Sequence, residues 1–135
     1  EIDGEVSPYK TFPSEVKDQL KIYYSNPGFG GQNVLYKRTV LQKIGGFRTD
    51  LYGSEDRDVA ARLLESNLSI TLWNETFVVM RVHEGDRNRH HGRLKGLRQF
   101  YTNHNFFMNT RLKILFGLKY LDHVYKIYLK NFIQQ

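Results

Sequence analysis

The chain has 135 residues, of which 40% are hydrophobic and 25% charged, with a formal net charge of +6. This is the composition of one globular domain, or part of one, long enough to bury a real core. There is no cysteine, which excludes a disulfide framework, a thiolate zinc site and a cysteine nucleophile, and fits a reducing compartment.

The charge is unevenly spread. Residues 1–80 carry nine Lys/Arg and eleven Asp/Glu, a balance of −2, whereas residues 81–135 carry eleven and three, a balance of +8. Such a basic half is either a solvated surface or one that meets anionic lipid, phosphate or nucleic acid. The opening EIDGEV has no Met, no basic n-region and no apolar h-region, so it reads as no signal peptide and as a cut from something longer. No apolar stretch approaches the roughly 18 residues that a spanning helix needs. The expected location is cytoplasmic, either free or peripheral on the inner face of the membrane.

Pro8 and Pro13 break an irregular lead-in. Ser14 can cap a helix running to about Tyr24. SNPGFGG (25–31) reads as a loop and QNVLYK (32–37) as a short strand. RTVLQKI (38–44) predicts one or two helical turns closed by Gly45 at a C′ position. GGFRTDLYG is a loop with an aromatic anchor. Residues 55–66 predict a helix with Val59, Leu63 and Leu64 inward and Asn67 as its stop. SITLW and TFVVMRV predict two strands joined by NE, and HEGDRNRHHGR (83–93) a polar, basic loop.

From about Leu94 the pattern is helical, in two helices with Asn109 and Thr110 near their joint. Ile114, Leu118, Leu121, Tyr125, Tyr128 and Phe132 recur at alternating spacings of four and three, with Lys119, His123, Lys126 and Lys130 on another face. This tail either packs on the domain or lies on an anionic membrane with its lysines outward. The expected class is α+β, with a short mixed sheet in residues 1–93 and a helical extension in residues 94–135.

Glu55, Asp56 and Asp58 crowd one helix start. Ser54 is a good N-cap, and acids in a first turn are favoured by the helix dipole. Asp58 also stands four residues before Arg62, a surface pair worth a few tenths of a kcal/mol. Helix-start chemistry therefore accounts for Glu55 and Asp58. Asp56 shares a face with Val59, Ala60 and Leu63 and is predicted to look toward the body of the protein. A carboxylate half-withdrawn from water gains proton affinity, as a general base near neutral pH requires. Asp56 and Asp58 also spell D-x-D. Two residues apart on a helix they diverge by about 200°, so a shared metal is not expected of them.

GGQNVLYKRTVLQKIGGFRTDLYGSEDRDVAARLLESNLSI resembles the acceptor-side half of family 2 glycosyltransferases of the GT-A fold. The matching residues are Lys37–Arg38, Val40–Leu41, Gly45–Gly46–Phe47, Glu55–Asp56, Asp58 and Arg62, and Arg81 and His83 resemble the family's Arg-x-His strand end. The resemblance covers roughly residues 28–86. It implies a partial GT-A fold and an inverting transfer of sugar from a nucleotide-sugar to a hydroxyl acceptor, in cell-surface polysaccharide or glycolipid synthesis. It makes Asp56 the base and gives Glu55 a positioning role. Gly30, Gly31, Arg38, Phe47 and Arg81 become candidate substrate contacts, and His83 a candidate for the metal or diphosphate. The implied cofactor is Mg²⁺ or Mn²⁺, held mainly by a strand-end Asp-x-Asp. Nothing before Gly28 supplies that strand or the nucleotide-binding half, so the chain is expected to be inactive alone and to self-associate through apolar surface.

The remaining signals are weaker. GFGGQN is neither a P-loop nor a complete G-x-G-x-x-G, and turn chemistry explains its glycines. HEGDRNRHH fails H-E-x-x-H because Arg87 stands where the second histidine belongs. Phe47 and Trp73 are core residues by type, or sugar-stacking ones. The alternative function is a non-catalytic module whose basic half binds nucleic acid or anionic membrane. No recognised nucleic-acid motif supports it, and it leaves the acidic cluster without a role.

Overall fold

The computed structural model describes residues 16–68, 70, 71, 75, 78 and 90–133. Helix α1 (Val16–Gln19) runs straight into a 3-10 turn (Leu20–Tyr23). Helices α2 (Arg38–Lys43) and α3 (Glu55–Glu65) follow, then α4 (His90–His104), a second 3-10 turn (Asn105–Phe107) and α5 (Thr110–Ile133). The helix predicted over 14–24 is therefore present over its described part, and the two-helix tail bends where Asn109 and Thr110 placed it. Helix α4 begins four residues before Leu94, inside the segment read as a loop.

The mixed sheet, and with it the α+β partial GT-A reading, is overturned: every regular element among the described residues is helical. QNVLYK shows why its strand does not form. Gly31–Asn33 is a 3-10 turn. The Asn33 side chain takes the Gly30 N–H at 2.8 Å and donates to the Gly28 carbonyl at 2.7 Å, so the segment curls back on its own loop. Val34 then has extended angles, but extended backbone is a strand only when a neighbour pairs with it. The predicted strands SITLW and TFVVMRV lie mostly outside the described residues, as does Trp73.

Helix α3 is the centre of the packing. Val59, Ala60, Ala61 and Leu63 are buried with Ile22, Tyr23 and Phe29 from the N-terminal segment and Leu97, Phe100, Met108, Leu112 and Phe116 from the C-terminal helices. The two alanines let flanking elements approach closely on more than one side. Both short helices end as the sequence indicates. Gly45 stands at φ +80 after α2, where Gly45 N–H reaches Gln42 O and Gly46 N–H reaches Leu41 O. Asn67 does the same after α3 at φ 53, with Asn67 N–H on Leu64 O and Leu68 N–H on Leu63 O. These are paired Schellman bonds. Ser54 departs from expectation: it sits at the N-cap in a left-handed conformation, φ 69, and its side chain makes no capping bond.

Helix α4 holds the loop that delivers α3. The Gln99 amide donates to Asp50 O and accepts the Tyr52 N–H, both at 3.0 Å. Gly96 lies directly beneath: a Cβ there would stand 2.6 Å from Tyr52 O and 3.1 Å from Gly53 O. Because the obstacle is backbone, it cannot swing aside. Gly96→Ala is expected to lower stability by about 1–3 kcal/mol through overpacking, despite alanine's better helix propensity. Chemical denaturation of the two proteins measures this, and an alanine variant as stable as the parent would show that the loop is not clamped there.

Candidate functional site

Helix α3 carries two polar faces with different fates. The first is internal. Asp58, fully buried, accepts from Arg62 Nε at 2.7 Å, from Arg48 Nη1 at 3.1 Å and from His104 Nε2 at 2.9 Å. His104, itself buried, places its other ring nitrogen 2.7 Å from Glu65. The Tyr23 hydroxyl reaches the same Glu65 oxygen at 3.3 Å. Arg62 also donates to the Ile44 carbonyl and so ties in the end of α2.

Burial alone would push the Asp58 carboxyl up, but the bond to His104 and the charges of Arg62 and Arg48 outweigh it and hold it below its ordinary value. Burial likewise pulls His104 down, and its bonds to Asp58 and Glu65 reverse this, leaving it raised. Two carboxylates at its two ring nitrogens thus favour the protonated imidazole, the form in which both N–H groups donate. Arg57 is buried without a carboxylate partner among the described residues. It donates to the Ile22 carbonyl, lies 4.0 Å above the Phe100 ring, and is lowered by burial to about 9.

The prediction that Asp58 forms a surface pair with Arg62 is thus corrected. The pair exists, but in the interior, because α4 covers this side of α3 and supplies His104. Sequence inspection missed His104 altogether. The available signal was the stripe Asp58, Arg62, Glu65 at i, i+4 and i+7, a polar row on a helix otherwise rich in buried apolar residues.

The second face opens outward. Asp56 is half-buried and lies against the glycine-rich loop: a Cβ on Gly31 would stand 2.8 Å from Asp56 Oδ1, so a side chain there would push the carboxylate aside. The loop is braced by Asn26, which accepts from Gly28 N–H at 3.0 Å and Phe29 N–H at 2.8 Å. The Tyr36 hydroxyl is buried and has no hydrogen-bond partner among the described residues. It is pushed up to about 12, first by burial and then by the charge of Asp56, and stays protonated. The Tyr36 ring stands edge-on to Phe29 at 6.4 Å and to Phe47 at 5.8 Å, and Phe47 is 43% exposed.

Asp56, Gly31, Tyr36 and Phe47 therefore share one neighbourhood. Gly30 belongs to its rim through the Asn33 bond. Glu55 is exposed at the first position of α3, and Arg38 is exposed at the first position of α2. Arg81 and His83 lie outside the described residues.

The divalent cation implied by the resemblance finds no ligand set among the described residues, where no three His, Asp or Glu side chains are placed to hold a metal ion together. Both oxygens of Asp58 are already taken by cationic donors, which leaves Asp56-x-Asp58 unable to act as a metal pair.

The family described as the N-terminal domain of galactosyltransferase matches residues 13–84, just over half of the chain. No curated protein and no solved structure matches it.

The internal network and the outward face respond differently to substitution. Asp58→Ala strands three donors and is expected to cost on the order of 3 kcal/mol, whereas Asp56→Asn is expected to leave the denaturation midpoint nearly unchanged. The pH profile follows from the same groups. Stability from the raised His104 is complete below about pH 6.5, its unfolded value, and is lost as pH rises through the higher folded value. Stability from the lowered Asp58 is present above the ordinary carboxylate value and is lost as pH falls through the depressed folded one. Thermal denaturation across pH should show both declines, and His104→Gln should remove the alkaline one.

Proposed function

The chain belongs to the galactosyltransferase N-terminal-domain family, a family of glycosyltransferases, and from that premise we propose that it forms the acceptor-side part of an inverting enzyme with Asp56 as its base. The observation that supports this best is the contrast between the two aspartates. Asp58 is consumed by cations inside the fold, whereas Asp56 is held at a half-open face beside a braced glycine loop. This arrangement agrees with the Glu-Asp-x-Asp resemblance to family 2 enzymes, in which the first aspartate acts.

The chemistry is a single displacement. The acceptor hydroxyl passes its proton to Asp56 as its oxygen bonds to the anomeric carbon of a nucleotide-sugar. The anomeric carbon–oxygen bond to the diphosphate breaks, and the diphosphate leaves with the electron pair. Configuration at that carbon inverts. Phe47 offers an exposed apolar ring on which a sugar face can lie. The protonated, unpartnered Tyr36 hydroxyl can donate to an acceptor oxygen that approaches Asp56. To Glu55 and Arg38, exposed at the starts of α3 and α2, we assign orienting the acceptor and offsetting the leaving diphosphate. A nucleotide-linked galactose is the first donor to test, on the strength of the family's description. The acceptor is a sugar hydroxyl, free or lipid-linked.

The decisive experiment compares Asp56→Asn with the parent in the protein that carries this chain. Loss of sugar transfer by a factor of about 100 or more, with nucleotide-sugar binding and folding retained, supports the assignment. Near-normal turnover in the variant removes Asp56 from the mechanism.

A further inference from the structure

Helix α5 is apolar on two opposite sides. Leu112 and Phe116 are buried against the domain, with Tyr120 partly buried beside them. Phe116 packs on Tyr101 at 5.0 Å and on Tyr120 at 6.4 Å, and the Tyr120 hydroxyl accepts from Arg98 at 2.6 Å. At about 100° per residue, Ile114, Leu118, Leu121, Tyr125, Tyr128 and Phe132 fall on the far side. They are 59–73% exposed. Of the two apolar sides, the four–three stripe is thus the one left exposed.

From this face we propose that α5 is an in-plane anchor for an anionic lipid surface, independently of the transfer reaction. The charge around the face selects that occupant. Arg111, Lys113, Lys119 and Lys126 are exposed along the helix. Its one carboxylate, Asp122, is bonded by Lys126 at 2.9 Å and approached by Lys119 at 3.5 Å, so no acidic group faces outward unpaired. Lysine stems can follow an apolar boundary while their ammonium groups reach lipid phosphates. Tyrosines and a phenylalanine in the last three turns suit the headgroup boundary, where a ring is buried and a hydroxyl stays wet.

A second copy of this chain fits less well. The positions that flank the four–three stripe hold Leu115, Gly117, Asp122, Val124, Leu129 and Asn131, where a helix pair would carry complementary charges; the one charge among them, Asp122, is already paired within its own helix. Crossing the bilayer is a different geometry, and no helix among the described residues is long and apolar enough for it.

The test is co-sedimentation of the full chain with two kinds of vesicle, phosphatidylcholine alone and a phosphatidylglycerol–phosphatidylcholine mixture. The proposal expects binding to the anionic vesicles, at least about tenfold weaker binding to the neutral ones, and weakening as salt rises. A variant carrying Leu118→Glu, Leu121→Glu and Tyr125→Glu should lose at least about tenfold in vesicle affinity while keeping the parent's circular dichroism and denaturation midpoint. Three results overturn the proposal: no vesicle binding, equal binding to neutral and anionic vesicles, or binding that the variant leaves intact. A dimer seen by light scattering, abolished by the variant and unaccompanied by vesicle binding, would give the face to a second copy instead. Nucleic-acid binding lost in the variant, again without vesicle binding, would overturn it in favour of that ligand.

Discussion

The buried carboxylate of Asp58 is the constraint around which the other elements are arranged. Withdrawing a carboxylate from water costs several kcal/mol unless its lone pairs are met by well-placed cationic donors. Three converge on it, and each comes from a different segment: Arg48 from the loop after the glycine pair, Arg62 from the next turn of α3, and His104 from the end of α4. Arg62 then bonds the carbonyl that closes α2, and His104 passes the connection to Glu65 and Tyr23. Moving any one of these segments would leave a charge unpaired in the interior. The network thereby specifies one arrangement of α2, α3, the 45–53 loop and α4, whatever its net contribution to stability.

Anchoring Asp58 also fixes Asp56. Two residues on a helix lie about 200° apart, so turning Asp58 toward His104 turns Asp56 toward the glycine loop. The same geometry that makes one aspartate structural leaves the other available for chemistry. Gly31 leaves the carboxylate where it lies against the loop, and Asn26 and Asn33 keep the loop in place without borrowing Asp56. The left-handed Ser54 just before α3 belongs to this setting. A non-glycine residue in that region costs free energy of order 1 kcal/mol, and such positions persist where the surroundings over-determine them.

Local signals in the sequence were reliable where the physics is local. Gly45 and Asn67 end their helices as written, because a left-handed C′ residue satisfies the last carbonyls through nearby backbone alone. The bend near Thr110 was legible for a similar reason, whereas α3 starts at Glu55 without the Ser54 capping bond expected there. The sheet was not, because alternation in QNVLYK signals a half-buried segment, and whether that becomes a strand depends on a partner the sequence does not reveal. The fate of Asp58 was hidden by assuming one buried face for α3. With alanines at 60 and 61 the helix admits neighbours on more than one side, and the row Asp58, Arg62, Glu65 becomes interior. His104 carries no local mark of its role, since the groups it joins lie 39 and 46 residues away.

Helix α5 shows the same limit from the other direction. Its four–three stripe runs along most of the helix, and periodicity reports that a face is apolar without saying what covers it. The domain takes the opposite face because aromatic stacking of Phe116 on Tyr101 and the hydrogen bond from Arg98 to Tyr120 are made there. Both depend on α4 lying alongside, and α4 is placed by His104 at its end and Gln99 on the loop. The exposed stripe is therefore a consequence of the internal network: once Asp58 has recruited α4, the side of α5 that packs is chosen, and the opposite apolar stripe is left outward.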